Sequence, residues 1–482
     1  MACYYVDSYL GNDNFSGTSP EAPWYSLNKA NSVMLQPGDS LLFRRGGVWV
    51  GKLSPKGSGT EGAPITLGAY SEGAKPCICG GGRSGMEEGM AVLLYNQDYW
   101  VIEDLDISND APDEADRWGM VVRWNDYGVG GHVHIRRCDI HDIAGRARDR
   151  RFKGDGLLIV ATGCTIPTGY DYILVEDCTF INIRRTALTV WSQWTERGRV
   201  YFRGGREYSY HTSVGPWFGN TNVVIRNNFI KDIAGDGILV TTTKGCIVEH
   251  NVAENCNNYN GAHFNDPNVA IWPQNSDDFL MQYNEAFGTG STADGQGYDI
   301  DFECYRPIVQ YNYSHDNEGG FILVMDEVYD AVIRYNISEN DHCALFDVRS
   351  PFNMQVYNNT FYMGCKEIIR PGRSSKNGLF ANNIFYSPVG CAPSEWGDYT
   401  WQNNCYFQVI PNEGQQQPLL ADPQFIRGGQ AGRGKEGLPG YVLKPDSPCI
   451  GAGISVENHC EQDIFGRPIP KKPSIGAAEP HG

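Results

Sequence analysis

The sequence predicts an all-β chain, a right-handed parallel β-helix with an N-terminal capping module. Three observations predict it. A short apolar-alternating motif recurs from about residue 99 onward. Its later copies, aligned on Val309, Ile333, Val356 and Phe380, are spaced 24, 23 and 24 residues apart. Each copy carries Asn or Cys just after its alternating strand, as in PIVQYNYSHDN (307–317) and MQVYNNTFYM (354–363). One recurring strand pair per two dozen or so residues is the pattern of a solenoid, in which each repeat contacts only its neighbours. A solenoid also explains how 482 residues escape the size limit of a single hydrophobic core. Asn suits the corners because it tolerates left-handed backbone and its amide stacks in ladders.

In chain order, residues 1–98 form the capping module. Tyr4–Asp7, Ser40–Arg44 and Pro64–Leu67 read as strands, and Pro23–Leu35 as a helix with Leu27, Ala30, Asn31 and Met34 on one side, stopped by Pro37-Gly38. Residues 99–390 are the coils, with loops inserted in the earlier repeats. Residues 391–482 are an irregular stretch, with a closing segment from 441 expected to cover the end of the stack, because an open end exposes sheet edges.

The net charge of −18 excludes a basic footprint for nucleic acid, and there is no apolar run long enough to span a membrane. Several of the 15 cysteines sit in strand-like runs, among them Cys138, Cys178 and Cys343. They read as small buried residues kept reduced, and Cys77-Ile78-Cys79 reads as packing rather than a metal knuckle. Residues 1–10 lack a basic start followed by an apolar core. The expectation is a cytoplasmic chain, or a secreted one from which a leader has been removed.

Each repeat has a second strand after a Gly-rich turn: Gly237-ILVTTT, Asn268-VAIWPQ, Gly297-YDIDFE, Gly320-FILVMD and Cys343-ALFDVR. Aligned on those leading residues, the outward columns are Leu239/Ala270/Asp299/Ile322/Leu345, then Thr241/Trp272/Asp301/Val324/Asp347, then Thr243/Gln274/Glu303/Asp326/Arg349. Extending the alignment backwards adds Trp191 and Gln193. Strict alternation in Tyr298-Asp299-Ile300-Asp301-Phe302-Glu303 puts three carboxylates on one outer face, where mutual repulsion argues against a purely structural purpose. Asp301 is the preferred catalytic residue, between Trp272 and Asp347. Asp294, in the turn before the strand, is a candidate partner, and Asp299, Glu303, Asp326 and Asp347 compete with it.

Carboxylates beside aromatic platforms on a long face suit carbohydrate cleavage, with rings stacking on sugars and a protonated and an ionised carboxyl sharing the work. Trp191, Gln193, Trp272, Gln274, Glu303 and Arg349 are the candidate substrate-binding residues. No cofactor is called for. Calcium held by the Asp cluster is the competing reading of the acids, packing under inserted loops that of Trp191 and Trp272, and salt bridges to Asp326 or Asp347 that of Arg349 and Arg370. His315 reads as a hydrogen-bonded structural histidine, and Asp155 and Asp236, each in a GDG turn, as turn chemistry.

The opening YYVDSYLGNDNFSGTSPEAPW, the core DGQGYDIDFE…IVQYNYSHDNEGGFIL and the closing DIFGRPIP…PSIGAAEP resemble bacterial right-handed parallel β-helix carbohydrate-active proteins over nearly the whole chain. The Asp294…Asp301 spacing resembles the catalytic pair of glycoside hydrolase family 136, the lacto-N-biosidases. That resemblance implies a retaining enzyme that releases a disaccharide from the non-reducing end of an oligosaccharide, with Asp301 as nucleophile and Asp294 as acid/base. Two other classes remain open at this point: a calcium-dependent polysaccharide lyase, disfavoured by net acidity and few Lys on the face, and a non-catalytic glycan-binding β-helix.

Overall fold

The computed structural model describes residues 1–147, 154–197, 201–203, 206–208, 213–259, 262–263, 267–291, 293–365, 367–370, 376–391, 398–411, 413–457 and 459–480. The chain divides into two compact units, Met1–Cys246 and Ile247–Gly482. Each is a parallel β-helix, with successive coils contributing one strand to each of three parallel sheets.

In the first unit the first sheet runs from Cys3–Val6 through Ser40–Arg44 and Ile65–Tyr70 to Asn220–Arg226, so the N-terminal strands are rungs of the solenoid itself. The expected helix is shorter than its pattern, spanning Leu27–Ser32. Ser26 caps it by accepting from Lys29 N at 3.1 Å, and Leu27 and Ala30 are buried as expected. Met34 is exposed: Val33 is already extended, and the Asn31 side chain is bonded to Lys52 O and Ser54 N, which ends the helix on the next coil.

In the second unit, one rung to the next, the first sheet pairs Val309 with Ile333, Ile333 with Val356 and Val356 with Phe380, the positions that the repeat spacing aligned. The Asn corner is a continuous buried ladder. The amides of Asn251, Asn284, Asn312, Asn336, Asn359 and Asn383 each donate to the side-chain oxygen of the Asn in the next coil, ending at Asn404, at 2.9–3.0 Å. Buried amides are tolerated only when satisfied, and here those of Asn284, Asn312, Asn336, Asn359 and Asn383 each also bind a backbone carbonyl, such as Val309 O from Asn336. One detail differs from expectation. The left-handed backbone belongs to the preceding residue, Tyr283, Tyr311, Tyr335, Asn358, Asn382 or Asn403, so that turning the chain and laddering the amides fall to neighbours.

Ten of the 15 cysteines are buried, Cys138 and Cys178 among them, and all are free. Cys343 is exposed; with φ +62° it belongs to the corner rather than the strand.

The C-terminal segment is not placed over an end of the stack. It runs back along the corner between the first and second sheets. Asn403 Nδ2 donates to Ala452 O, Asn382 Nδ2 to Ile454 O, Asn358 Nδ2 to Ser474 O and Tyr311 Oη to Gln462 O. Nearer the second sheet, Glu285 Oε1 accepts from Gly434 N at 2.6 Å and Glu339 Oε2 from Ala431 N at 3.1 Å. The left-handed corner residues turn their side chains outward, and the segment supplies their missing partners.

Candidate active site

The third sheet of the second unit contains Ile271–Gln274, Gln296–Ile300, Gly320–Val324, Ala344–Val348 and Glu367–Ile369 in that order. Its register differs from the sequence alignment at three of these steps, by two residues between Ile271–Gln274 and Gln296–Ile300 and by one residue at each of the next two. Ile271 pairs with Tyr298, Tyr298 with Ile322, Ile322 with Phe346 and Phe346 with Ile369. Asp299 pairs with Leu323, and Leu323 with Asp347. The rung that reaches Asp347 is therefore that of Asp299, with Trp272 next to it, and Asp301 lies one step further along, level with Gln274. The reason is physical: Phe321-Ile322-Leu323-Val324 is buried on both faces, so alternation carries no register information there.

The strand also ends sooner than alternation implies. Ile300 is its last residue, and Phe302 and Glu303 form a turn in which Glu303 has φ +63° and is 2% exposed. Glu303 is thus a buried turn residue, not an outer-face neighbour of Asp301. Asp326 likewise follows its strand, half-buried in a turn with Glu327.

Asp301 sits at the strand end with both carboxylate oxygens engaged. Oδ2 accepts from Gln274 Nε2 at 3.0 Å, and Oδ1 from the backbone N–H of Phe302 at 2.8 Å. Its own N–H donates to Pro273 O at 3.0 Å. The side chain is half-buried, fixed yet reachable. Asp299 is 4% exposed and Asp347 is 1% exposed, so the face is more enclosed than an open sheet. Asp347 is held between two guanidinium groups, Arg349 Nε at 3.3 Å and Arg370 Nη1 at 2.8 Å. Arg349 is committed to a salt bridge, the reading that competed with sugar binding, and Arg370 shares it.

Asp294 is half-buried in the turn before the strand. Arg370 links it electrostatically to Asp347. Burial opposes the charge on Arg370, but Asp347, with lesser help from Cys343 and Asp294, outweighs burial and raises its pKa. Asp294 thus adds a small share to the field at the cation that pairs with Asp347. Trp272 and Gln274 are half-buried on the neighbouring strand.

Trp191 and Gln193 belong to the first unit. Trp191 pairs with Val160 and packs on an apolar cluster of Met90, Trp118, Val121, Leu158 and Val160. Gln193 Oε1 accepts from Gly163 N at 3.2 Å. In the same unit Asp155 is fully buried and its pKa is pushed up to about 7, by burial against the pull of Arg185. Arg185 pairs with the equally buried Asp236 at 3.2 Å. These GDG turns carry buried carboxyl groups, which turn chemistry alone does not require.

His315 is buried, bonded through Nδ1 to Asp316 at 2.7 Å and through Nε2 to Glu285 at 3.2 Å. Burial opposes its charge, yet these two carboxylates raise its pKa to about 9, which makes it a structural cation. Among the described residues no group of three or more His, Cys, Asp or Glu is arranged to hold a metal ion, and no helix is long and apolar enough to cross a membrane.

The sequence reading missed Glu318 and Gly319, whose side-chain oxygen and bare Cα meet the turn that carries Asp294. The signal was the Gly319-Gly320 doublet, an unusual pair at a corner where other coils place larger residues.

A family model described as "Right handed beta helix region" matches residues 209–361. The lacto-N-biosidase of Bifidobacterium longum subsp. longum is 26% identical over 99% of this chain. The chain spans only 36% of that relative's length. The crystal structure of the GH136 lacto-N-biosidase from Eubacterium ramulus matches with a TM-score of 0.65 at 25% identity, covering 83% of this chain and 68% of that one. The structure of XylC with xylose matches with a TM-score of 0.55 at 13% identity, covering 99% of this chain and 98% of that one, a likeness of fold alone. The chain is a right-handed parallel β-helix, similar along nearly its whole length to a lacto-N-biosidase and over 83% of it to the structure of a GH136 enzyme.

Proposed function

We propose that the chain is a glycoside hydrolase that cleaves a disaccharide from the non-reducing end of an oligosaccharide, as the family resemblance implies and in keeping with relatives named lacto-N-biosidase. The observation that carries the reading is Asp301: a half-buried carboxylate, oriented by Gln274 and by its own turn, one rung position along from Trp272 and at the opposite end of the strand Gln296–Ile300 from Asp294.

In this reading Asp301 attacks the anomeric carbon while Asp294 donates a proton to the departing glycosidic oxygen. Asp294 then takes a proton from water, which attacks the glycosyl-enzyme and frees Asp301. Retention of configuration follows from the two displacements. Asp299 is the competing partner for Asp301, since it occupies the rung next to Trp272. Asp347, tied to Arg349 and Arg370, orders the site rather than attacking.

The test is turnover of 4-nitrophenyl lacto-N-bioside and of a broad glycan panel by Asp301→Asn and Asp294→Asn. Losses of roughly 10³-fold or more are expected for the nucleophile on every substrate, and about 10²–10⁴-fold for the acid/base on glycans with a sugar leaving group. Parental activity in Asp301→Asn on every substrate sinks the proposal. Unsaturated uronate absorbance that disappears with a chelator favours a calcium-dependent lyase instead.

A further inference from the structure

The turn that presents Asp294 is stitched to the following coil at several points. Thr289 N donates to Asn317 Oδ1 at 3.0 Å, and Glu318 N to Thr289 O at 2.9 Å. Ser291 N donates to Glu318 Oε2 at 2.8 Å, and Gly319 N to Gly295 O at 2.9 Å. The turn is also conformationally demanding. Ser291 has φ +93° and Gly295 φ +81°. A Cβ on Gly319 would lie 1.8 Å from Asp294 O, and one on Gly295 1.9 Å from Ser291 O. Only glycine fits at 319 while the Asp294 peptide stays where it is.

The stitch is anchored deeper in the solenoid. Asp341, buried among Ser314, Ser338 and Asn317, accepts at Oδ1 from Asn317 N at 3.0 Å and Nδ2 at 2.9 Å. Its Oδ2 accepts from Ser314 Oγ at 2.6 Å and Ser338 Oγ at 2.7 Å. Asn317 thereby presents Oδ1 to Thr289, and Glu318, the next residue, reaches Ser291. A chain of bonds runs from a core carboxylate to the loop that holds a site carboxylate.

We propose that Glu318 is a positioning residue for Asp294, acting with Gly319 as a template that fixes where the Asp294 carboxyl stands relative to the leaving group. The proposal rests on the reading of Asp294 as the acid/base. Glu318 reaches Asp294 through the Ser291 amide and the turn, so its effect is geometric, and a misplacement of about 1 Å is enough to cost on the order of 10²-fold.

The experiment compares kcat/KM on two substrates that share the same disaccharide, an oligosaccharide with a sugar leaving group and 4-nitrophenyl lacto-N-bioside. A nitrophenolate departs without protonation, whereas a sugar alkoxide needs the proton from Asp294. Glu318→Ala is expected to lower kcat/KM about 10–100-fold on the oligosaccharide and less than about 5-fold on the aryl substrate. Glu318→Gln, which keeps a carbonyl acceptor for Ser291 N, is expected to restore both. Glu318→Met, equal in length but without an acceptor, carries the same expectation as Glu318→Ala where the alanine variant does not fold. Equal losses on the two substrates, or parental kinetics on both while Asp294→Asn is inactive, overturn the positioning role. Full activity in Asp294→Asn overturns the acid/base reading instead, and the positioning role with it.

Discussion

Gln274 donates its side-chain amide to Asp301 across 3.0 Å, and so one coil orients the carboxylate of the next. The bond spans two strands of one sheet, and its two ends are set by the same ladder. Gln274→Leu removes a donor without touching the backbone. It is expected to lower turnover about 10-fold, with a change in stability within about 1 kcal/mol, read by steady-state kinetics alongside thermal melting.

Asp347 and Asp301 separate by the opposite signature. Asp347 is buried between Arg349 and Arg370, and removing it leaves cations unbalanced in an enclosed place. Asp347→Ala is expected to cost about 3–5 kcal/mol, measured by denaturant unfolding. Asp301→Asn, half-buried and isosteric, is expected to stay within about 1 kcal/mol of the parent while losing turnover.

The Asn ladder makes a sharper prediction than ordinary core packing. Asn336→Ala removes the acceptor of the Asn312 backbone N–H and amide, and the donor to Val309 O and Asn359. Several buried groups lose partners at once, each worth about 1–3 kcal/mol. A loss of roughly 3–5 kcal/mol is expected, with hydrogen exchange accelerating in the flanking coils first.

His315 sets a pH dependence of stability with a definite sign. Its folded pKa, raised to about 9, lies above the ordinary value near 6.5, so the folded state holds the proton more tightly. The stabilisation is complete below about pH 6.5 and is lost as pH rises through about 9. His315→Gln is expected to flatten that decline, seen as melting temperatures recorded from pH 6 to 10.

Asp155 carries the same sign in a lower pH window. A carboxyl whose folded pKa is pushed up to about 7 favours the folded state while protonated, and stability falls as pH rises from near 4 through 7. Asp155→Asn is expected to match the parent near pH 4 and to melt higher at pH 8. A parental melting curve at both values contradicts the assignment.

The coil spacing was legible because first-sheet strands alternate cleanly: Val309, Ile333, Val356 and Phe380 stack rung on rung. Of the candidate residues, Asp299 and Asp347 fall in one column with Trp272 beside Asp299, and Gln274 bonds Asp301, but Gly320-Phe321-Ile322-Leu323-Val324 is buried throughout and hides its register. Glu303 was misplaced because alternation continues in the sequence past Ile300, where the backbone already turns left-handed. The path of the C-terminal segment was not legible at all, since its partners are backbone carbonyls and outward corner side chains with no pattern of their own.

That segment changes how the second unit is assembled. Asn358 binds Ser474 O and Gly476 O, 116 and 118 residues away. During synthesis its coil leaves the ribosome long before those partners exist, so the corner is completed only once Ser474 and Gly476 emerge. A solenoid on its own can fray coil by coil from an end. Here one strap ties the coils of Tyr311, Asn358, Asn382 and Asn403 together, and they are bound to melt as a block rather than in sequence.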